Sequence, residues 1–243
     1  MENFNSQPNH DPNIFNQIRN NLKNASLETK REHPFNKKTL WNLFICEYRL
    51  LFSKPFLCDA VVARNIEAIF YYFLESEEFF NCQNLRSDIS APSFNKGLLL
   101  FGNVGVGKTH IMRVFESIFK KYPPHRFTIS PTYEVVDKYE AISTRADKDF
   151  FYQSYTNGTI LFDDLNSEKI ANNYGSVNIM KELIIRRCDK GNKTHLTMNP
   201  LPGFENDIDG SLLGLGDDYD QRTVDRFYEM FNVIQLTGKS IRR

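Results

Sequence analysis

The sequence predicts an α/β protein with three layers, in which helices cover both faces of a five-stranded parallel sheet. From residue 97 onward, short apolar runs alternate with segments of helical period, and this alternation is typical of parallel sheets. The first of these runs, residues 97–101, carries no polar side chain, as expected for a strand that is buried on both faces. The 243 residues are enough for one large core and an appendage.

The predicted strands cover residues 97–101, 126–129, 159–162, 195–198 and 232–236. Between them, helical periodicity or composition predicts helices near residues 111–118, 133–141, 147–155, 177–189 and 220–230. The segment 203–218 is rich in Gly and Asp and is predicted to be a loop.

Two further helices are predicted before the first strand, over residues 37–52 and 59–80. We therefore expect three parts. Residues 1–34 are polar and are expected to be mostly disordered or loosely helical. Residues 35–95 are expected to form a small helical module with its linker, and residues 96–243 the α/β domain.

The net charge is zero, because 30 Lys and Arg residues balance 30 Asp and Glu residues. No global field therefore attracts nucleic acid or an anionic membrane, and a polyanion must bind at a local patch or on an assembly. The four cysteines form no Cys-x-x-Cys pair, which indicates reduced thiols in a cytoplasmic protein. The polar start and the lack of a long apolar run predict neither secretion nor a membrane partner.

A glycine-rich loop follows the first predicted strand. Residues Gly102 to Thr109 fit the pattern Gly, four residues, Gly, Lys, Ser or Thr. Glycines let backbone amides wrap a polyphosphate, Lys108 brings a positive charge to the outer phosphates, and the Thr109 hydroxyl is a Mg²⁺ ligand. The N-terminus of the next helix adds to the same anion site. A glycine turn without function is the alternative. The predicted phosphate-binding residues are Gly102, Asn103, Val104, Gly105, Val106, Gly107, Lys108, Thr109 and His110.

Two aspartates end the third predicted strand, where open α/β sheets place their ligand chemistry. Asp163 is a candidate for holding Mg²⁺ through water, and Asp164 for orienting or deprotonating an attacking water. Aspartate is one methylene shorter than the glutamate often found in this role, and a misplacement of about 1 Å can cost about 10²-fold. The reach of Asp164 is therefore open. The alternative is a strand that ends in solvated aspartates.

Asn199 ends the fourth predicted strand and is followed by Pro200. Its amide could hold the attacking water or sense the outermost phosphate, and the alternative is an Asn-Pro turn.

Arg222 and Arg226 lie on the last predicted helix, almost opposite its apolar stripe. They are either solvated charges or they reach a neighbouring molecule. An arginine supplied in trans to a phosphoryl-transfer site is worth about 10³–10⁵ in rate.

In this order, the motifs resemble those of the AAA+ ATPases of the DnaC/DnaI helicase-loader and IstB-like group, over residues 96–243. The glycine loop resembles Walker A, residues 160–164 resemble Walker B, and Asn199 resembles sensor 1, although Met198 stands where the group often has Ser or Thr. Residues 221–226 are similar to box VII, and residues 237–242 to the Gly-x-Ser-x-Arg ending of these proteins.

The resemblance implies a P-loop NTPase of AAA+ type without a C-terminal lid, which binds ATP and Mg²⁺ and hydrolyses ATP. It implies that Thr109 and Asp163 hold the metal. The catalytic residues that it implies are Asp164, Asn199, Arg226 as the first arginine-finger candidate and Arg222 as the second. It also implies self-association into a ring or spiral, a replicative helicase or a transposase as partner, and single-stranded DNA.

Several alternatives stay open at this point. Helicase loading and an IstB-like role in DNA transposition differ mainly in the N-terminal module, which carries no diagnostic motif. A small P-loop kinase needs an acceptor pocket and a lid, for which residues 165–192 leave little room. A nucleotide-gated adaptor fits if Asp164 is poorly placed. Basic residues either line a DNA path or complement the end of a helix, namely Lys181, Arg186, Arg187, Lys190 and Lys193.

Overall fold

Five parallel strands lie side by side in one sheet. The structure, a computed structural model, describes residues 35–173, 175–204 and 207–238. The strands of this sheet are β1 (Gly97–Phe101), β2 (Thr128–Pro131), β3 (Ile160–Leu165), β6 (Thr194–Met198) and β7 (Phe231–Gln235). They are arranged in the order β2-β3-β6-β1-β7. A separate antiparallel pair is formed by β4 (Ala171–Asn172) and β5 (Ser176–Val177). The predicted five-stranded parallel sheet is confirmed.

Helices precede the sheet and alternate with its strands. Those of the described residues are α1 (Lys37–Phe52), α2 (Ala60–Phe73), α3 (Lys108–Phe119), α4 (Thr132–Glu140), α5 (Arg145–Thr156), α6 (Ile179–Asp189), α7 (Ile208–Tyr219) and α8 (Gln221–Met230). Side-chain caps fix where several begin. The Asn36 side chain accepts a hydrogen bond at the start of α1, and Asp59 accepts two at the start of α2. Thr144 and Asp147 form a reciprocal capping box at the start of α5.

The sheet separates two apolar layers, because successive strand residues point to opposite faces. On β1, Leu98 and Leu100 belong to one buried cluster, together with residues of α1, α2 and α3. Leu99 and Phe101 belong to the other, together with residues of α4, α5, α6, α7 and α8. The predicted arrangement of three layers with helices on both faces is therefore confirmed.

The helices before β1 share the core of the sheet. The ring centroids of Phe44 and Phe115 lie 5.4 Å apart, and those of Phe70 and Phe115 lie 5.1 Å apart. These contacts join α1 and α2 to α3, and residues from Phe35 onward form one compact unit. That residues 35–95 act as a module of their own stays a prediction. Residues 1–34, for which disorder was predicted, lie outside the described residues.

Several elements differ from the predicted ones. β2 begins at Thr128 and not at Arg126, because the Arg126 amide closes a 3₁₀ turn by donating to Pro123. α2 ends at Phe73 and is followed by a separate 3₁₀ helix (Glu77–Asn81), because Glu75 adopts a left-handed backbone with φ of 50°. The short pair β4 and β5 was not predicted.

The predicted loop over residues 203–218 is wrong, because α7 occupies most of it. Ile208, Leu212, Leu215 and Tyr219 follow a helical spacing and are buried. The glycines of this helix permit close packing. A Cβ on Gly210 would come within 2.3 Å of Phe204, and one on Gly214 within 2.6 Å of Leu201. Tertiary packing therefore outweighs the low helix propensity of glycine.

Among the described residues, no helix has both the length and the apolar character needed to cross a bilayer. The four cysteines are free thiols.

A buried histidine supports β1 from the neighbouring strand. His195 on β6 is 2% exposed, and its Nδ1 accepts a hydrogen bond of 3.0 Å from the backbone N–H of Leu98. The rings of Tyr72 and Phe127 pack around it. Burial, with a smaller effect of nearby cations, lowers the pKa of His195 to about 3.

We predict that His195 makes stability fall in mild acid. The unfolded chain protonates this histidine below about pH 6.5, whereas the folded protein holds it neutral, so the free energy of unfolding drops by about 1.4 kcal/mol per pH unit below that point. His195→Asn keeps an acceptor for Leu98 but does not titrate. Urea denaturation at about pH 7 and pH 5 should show a smaller loss in the variant, by about 2 kcal/mol. An equal loss in both proteins would contradict the prediction.

Candidate nucleotide-binding site

The carboxyl ends of β1, β6 and β3 meet at one edge of the sheet, because these strands are parallel neighbours. A cavity of about 310 Å³ opens there. The glycine loop and the start of α3 line it with Val104, Gly105, Gly107, Lys108, Thr109 and His110. Asp163, Asp164 and Asn199 line its other side. Residues that are up to 95 positions apart in the sequence thus face one space.

The glycines of the loop are required by its backbone. Gly105 and Gly107 have φ of 90° and 102°, a region that other residues rarely adopt. A Cβ on Gly102 would lie 2.3 Å from the carbonyl oxygen of Leu236. The loop therefore turns tightly against β7 before α3 begins at Lys108. Gly102, Asn103 and Val106 build the loop but do not line the cavity, and Val106 is buried in the core.

Lys108 is held over the loop by three oxygen atoms. Its Nζ donates to the backbone carbonyls of Gly102 and Asn103 and, at 2.8 Å, to Oδ1 of Asn199. Lys108 is only 7% exposed, so its charge is well shielded from solvent. These acceptors fix the ammonium between the loop and the end of β6, where a phosphate above the loop would meet it.

One carboxylate oxygen joins α3, β3 and β6. Oδ1 of Asp163 accepts hydrogen bonds from the Thr109 hydroxyl at 2.9 Å and from the Thr197 hydroxyl at 2.6 Å. The Thr197 hydroxyl oxygen in turn accepts from the backbone N–H of Asp164 at 2.8 Å. Thr197 therefore ties both aspartates to β6. Sequence reasoning missed this residue.

Asp164 reaches the cavity through a local irregularity of β3. Phe162 pairs with Leu196 and Leu165 with Met198, so that both aspartates lie opposite Thr197 alone. Two residues opposite one make a β-bulge, a feature common next to active sites. Asp164 has a left-handed φ of 65°, which aspartate tolerates better than most residues. Its side chain is half-buried and lines the cavity despite its short length.

Asn199 links the lysine to the second aspartate. Its Oδ1 accepts from Lys108, and its Nδ2 donates to Oδ1 of Asp164. Lys108, Asn199 and Asp164 thus form one hydrogen-bonded chain, and all three line the cavity. Asn199 directly follows β6 and makes these contacts, so an Asn-Pro turn and a role in the site are compatible, and the role of Asn199 toward water or phosphate stays a prediction.

The side chains and backbone amides of the site are of the types that bind Mg²⁺ and a polyphosphate. Thr109 and Asp163 place two hard oxygen atoms side by side, the ligand type that Mg²⁺ prefers. The loop places its tight turns at the N-terminus of α3, where backbone amides and the helix dipole favour an anion. The lysine supplies a positive charge beside them.

The two arginines of α8 lie apart from this cavity in the single chain. Asp220 caps the helix by accepting from the Thr223 N–H, and its ion pair with Lys181 lowers the pKa of Asp220 to about 2. Arg226 is partly exposed and pairs with Asp189 at 2.8 Å. Arg222 is exposed and makes no hydrogen bond or ion pair within the described residues. Neither arginine lines the cavity.

The basic residues 181–193 have partners within the chain and do not form an open basic surface. Arg187 is fully buried and donates to Thr194 and to the carbonyls of Tyr155, Gly158 and Lys193. Burial lowers the pKa of Arg187 to about 10. The others contact Asp220, Glu182, Thr156 and Phe94. A DNA path along these residues is therefore not supported.

Sequence reasoning also missed Arg113, Pro131 and Tyr133, which line the cavity beyond Thr109. Arg113 lies one helical turn after Thr109, so its place on the same face of α3 could have been found from spacing alone. The segment 237–242 lies only partly within the described residues, which end at Gly238. Its predicted similarity to a Gly-x-Ser-x-Arg ending stays a prediction.

We predict that Thr197→Val destabilises the folded chain. The change leaves the Asp164 N–H without its acceptor and removes one donor from Asp163, at a cost of about 1–3 kcal/mol. Thr197→Ser keeps the hydroxyl and should lose about 1 kcal/mol or less. Urea denaturation measures both variants. Equal losses in the two would show that the methyl group, and not the hydroxyl, matters.

Neither a known protein family nor a curated protein matches the chain. Solved structures do match it. It is 22% identical to the DnaC helicase loader over 59% of this chain and 79% of that chain, with a TM-score of 0.45. It is 20% identical to DnaI, over 79% and 89%, with a TM-score of 0.49. It is 15% identical to domain III of the Thermotoga maritima replication initiation protein DnaA, over 84% and 69%, with a TM-score of 0.48. A helicase loader and DnaI are thus among the structures that this chain resembles.

Proposed function

We propose that the protein is an AAA+ ATPase that binds ATP with Mg²⁺, hydrolyses it to ADP and phosphate, and acts on DNA as a replicative helicase loader or similar replication factor. The observation that carries the proposal is the meeting of Lys108, Thr109, Asp163, Asp164 and Asn199 around one cavity at the end of the glycine loop. Each of these residue types suits a task in phosphoryl transfer.

The residues divide the work by their positions. The loop amides and Lys108 bind the phosphates, and Thr109 with Asp163 holds the metal. When bound, Mg²⁺ neutralises charge that develops on the phosphate oxygens. Asp164 accepts a proton from the attacking water or orients it, and Asn199 fixes the Asp164 carboxylate through its amide. Because Asp164 lines the cavity, the adaptor alternative, which needs a poorly placed aspartate, is disfavoured.

The position of the two α8 arginines outside the cavity of their own chain is the reason for proposing an assembly. Arg226 and Arg222 lie outside the chain's own cavity, so either can complete only the site of a neighbouring copy. The ion pair between Arg226 and Asp189 is on the surface and contributes about 0–1 kcal/mol. A nucleotide phosphate of a neighbouring subunit can therefore replace Asp189 as the partner of Arg226. We infer a ring or spiral in which Arg226, with Arg222 as second candidate, approaches the next subunit's nucleotide.

The role on DNA comes from the resemblance of the motifs and not from a DNA-binding surface. The runner-up is an IstB-like helper of DNA transposition, which has the same ATPase site. A small P-loop kinase is less favoured, because residues 165–192 are taken up by β4, β5 and α6 and leave no long lid in the described part of this segment. Stronger stimulation of turnover by single-stranded than by duplex DNA would favour the loader, and the reverse the transposition helper.

We predict that Lys108→Ala weakens ATP binding by about 10²-fold or more, because it removes the charge that the outer phosphates meet. Asp164→Asn should leave ATP binding within about twofold and lower turnover by about 10²-fold or more, because an amide does not accept a proton. Calorimetric titration and phosphate release separate the two effects. Unchanged turnover in Asp164→Asn would leave a nucleotide-gated adaptor as the better interpretation. ATP consumption that needs a small acceptor molecule would indicate a kinase.

We predict that ATP drives self-association, and that Arg226→Ala lowers turnover by about 10²-fold or more while sparing ATP binding. Light scattering with and without ATP measures the assembly. Mixing Arg226→Ala with Asp164→Asn should restore some activity, because mixed neighbours form sites with one intact aspartate and one intact arginine. A monomeric enzyme that is indifferent to Arg226→Ala would overturn the assembly and with it the loader and transposition proposals.

A further inference from the structure

The cavity holds a guanidinium that no motif assigns. Arg113 lines the same space as Thr109, Asp163, Asp164 and Asn199. It follows Thr109 by four residues on α3, which places it on the same helix face and about 6 Å further along the axis. Its position is therefore beyond the metal-holding pair, on the side of β2, where Pro131 and Tyr133 also border the cavity.

No carboxylate among the described residues engages Arg113. Within the residues that the structure describes, Arg113 forms neither an ion pair nor a hydrogen bond. Glu116, its neighbour on the next turn of the helix, accepts instead from the backbone N–H of Ile129 at 2.9 Å. Asp163 and Asp164 accept from the two threonines and from Asn199. The guanidinium is therefore available to a ligand in the cavity.

The charges of the cavity favour an anion at this position. Its charged side chains are two carboxylates, Asp163 and Asp164, and two permanent cations, Lys108 and Arg113. Without Arg113, negative charge would outnumber positive charge in a site that has to receive a polyphosphate. Lys108 is engaged by three oxygens next to the loop, whereas Arg113 lies on the opposite side of Thr109. An arginine presents a fork of donors that matches phosphate oxygens.

We propose that Arg113 contacts the outermost phosphate of the bound nucleoside triphosphate from within the same chain. This inference rests on the proposed ATPase function and adds a cis cation to it, besides the one expected in trans. Arg113 then distinguishes a triphosphate from a diphosphate, since only the triphosphate carries the group that it contacts. It also stabilises the negative charge that the transferred phosphate carries in the transition state.

The test uses the full-length protein with Mg²⁺, a nonhydrolysable ATP analogue and ADP as the probes. We predict that Arg113→Ala raises the Kd of the analogue about tenfold or more and that of ADP by less than about twofold, because a charged hydrogen bond is lost for one ligand only. Turnover should fall about tenfold or more. Arg113→Lys should recover part of the preference for the triphosphate.

The matched control is Arg49→Ala, which removes another exposed helical arginine that lies outside the cavity. It should leave both Kd values and turnover unchanged. If Arg113→Ala keeps the wild-type ratio of the two Kd values, the inference is overturned while the ATPase proposal stands. If the wild-type protein binds neither nucleotide, the ATPase proposal itself fails. A variant that loses DNA binding but keeps its nucleotide constants would also overturn the inference and assign Arg113 to DNA.

Discussion

The parallel register of β1, β6 and β3 is the constraint on which the candidate site depends. Phe101 pairs with Met198, and Met198 pairs with Leu165, so the three strands end at the same level. The glycine loop, Asn199 and the two aspartates therefore leave the sheet side by side. A slip of one residue would turn the side chains of a strand to the opposite face. Because both faces of the sheet are buried in apolar layers, such a slip would be costly. The core therefore fixes the positions of the site residues at the edge of the sheet.

The local parts of this arrangement could be predicted from the sequence, and the parts made by distant contacts could not. The strands and most helices follow from apolar runs and from the helical period, which depend on neighbouring residues. The glycine loop and Asp163 carry their own patterns. By contrast, Thr197 acquires its role only because a bulge places both aspartates opposite it. α7 was missed because its glycines weigh against a helix until Phe204 and Leu201 are packed against them.

The same distinction applies to the arginines. Helical periodicity places Arg222 and Arg226 outside the buried face of α8, and they lie there. Helical periodicity does not predict the ion pair of Arg226 with Asp189, because Asp189 lies at the end of another helix, α6. The pair holds the guanidinium in a defined place on the surface, at an energy small enough for a stronger anion to replace it. A surface ion pair of this strength orients the Arg226 side chain and still lets it exchange Asp189 for another anion.

Under the proposed function, the amide of Asn199 couples nucleotide binding to hydrolysis. In the single chain the amide oxygen accepts a hydrogen bond from Lys108 and the amide nitrogen donates one to Asp164, so one planar group contacts both residues. A phosphate above the loop competes with the Gly102 and Asn103 carbonyls and with Asn199 for the three protons of the ammonium. If the phosphate displaces the amide oxygen, the amide is free to rotate, and its hydrogen bond to the Asp164 carboxylate changes with it. Under the proposed function, arrival of the ligand and orientation of Asp164 are then linked through the Asn199 side chain.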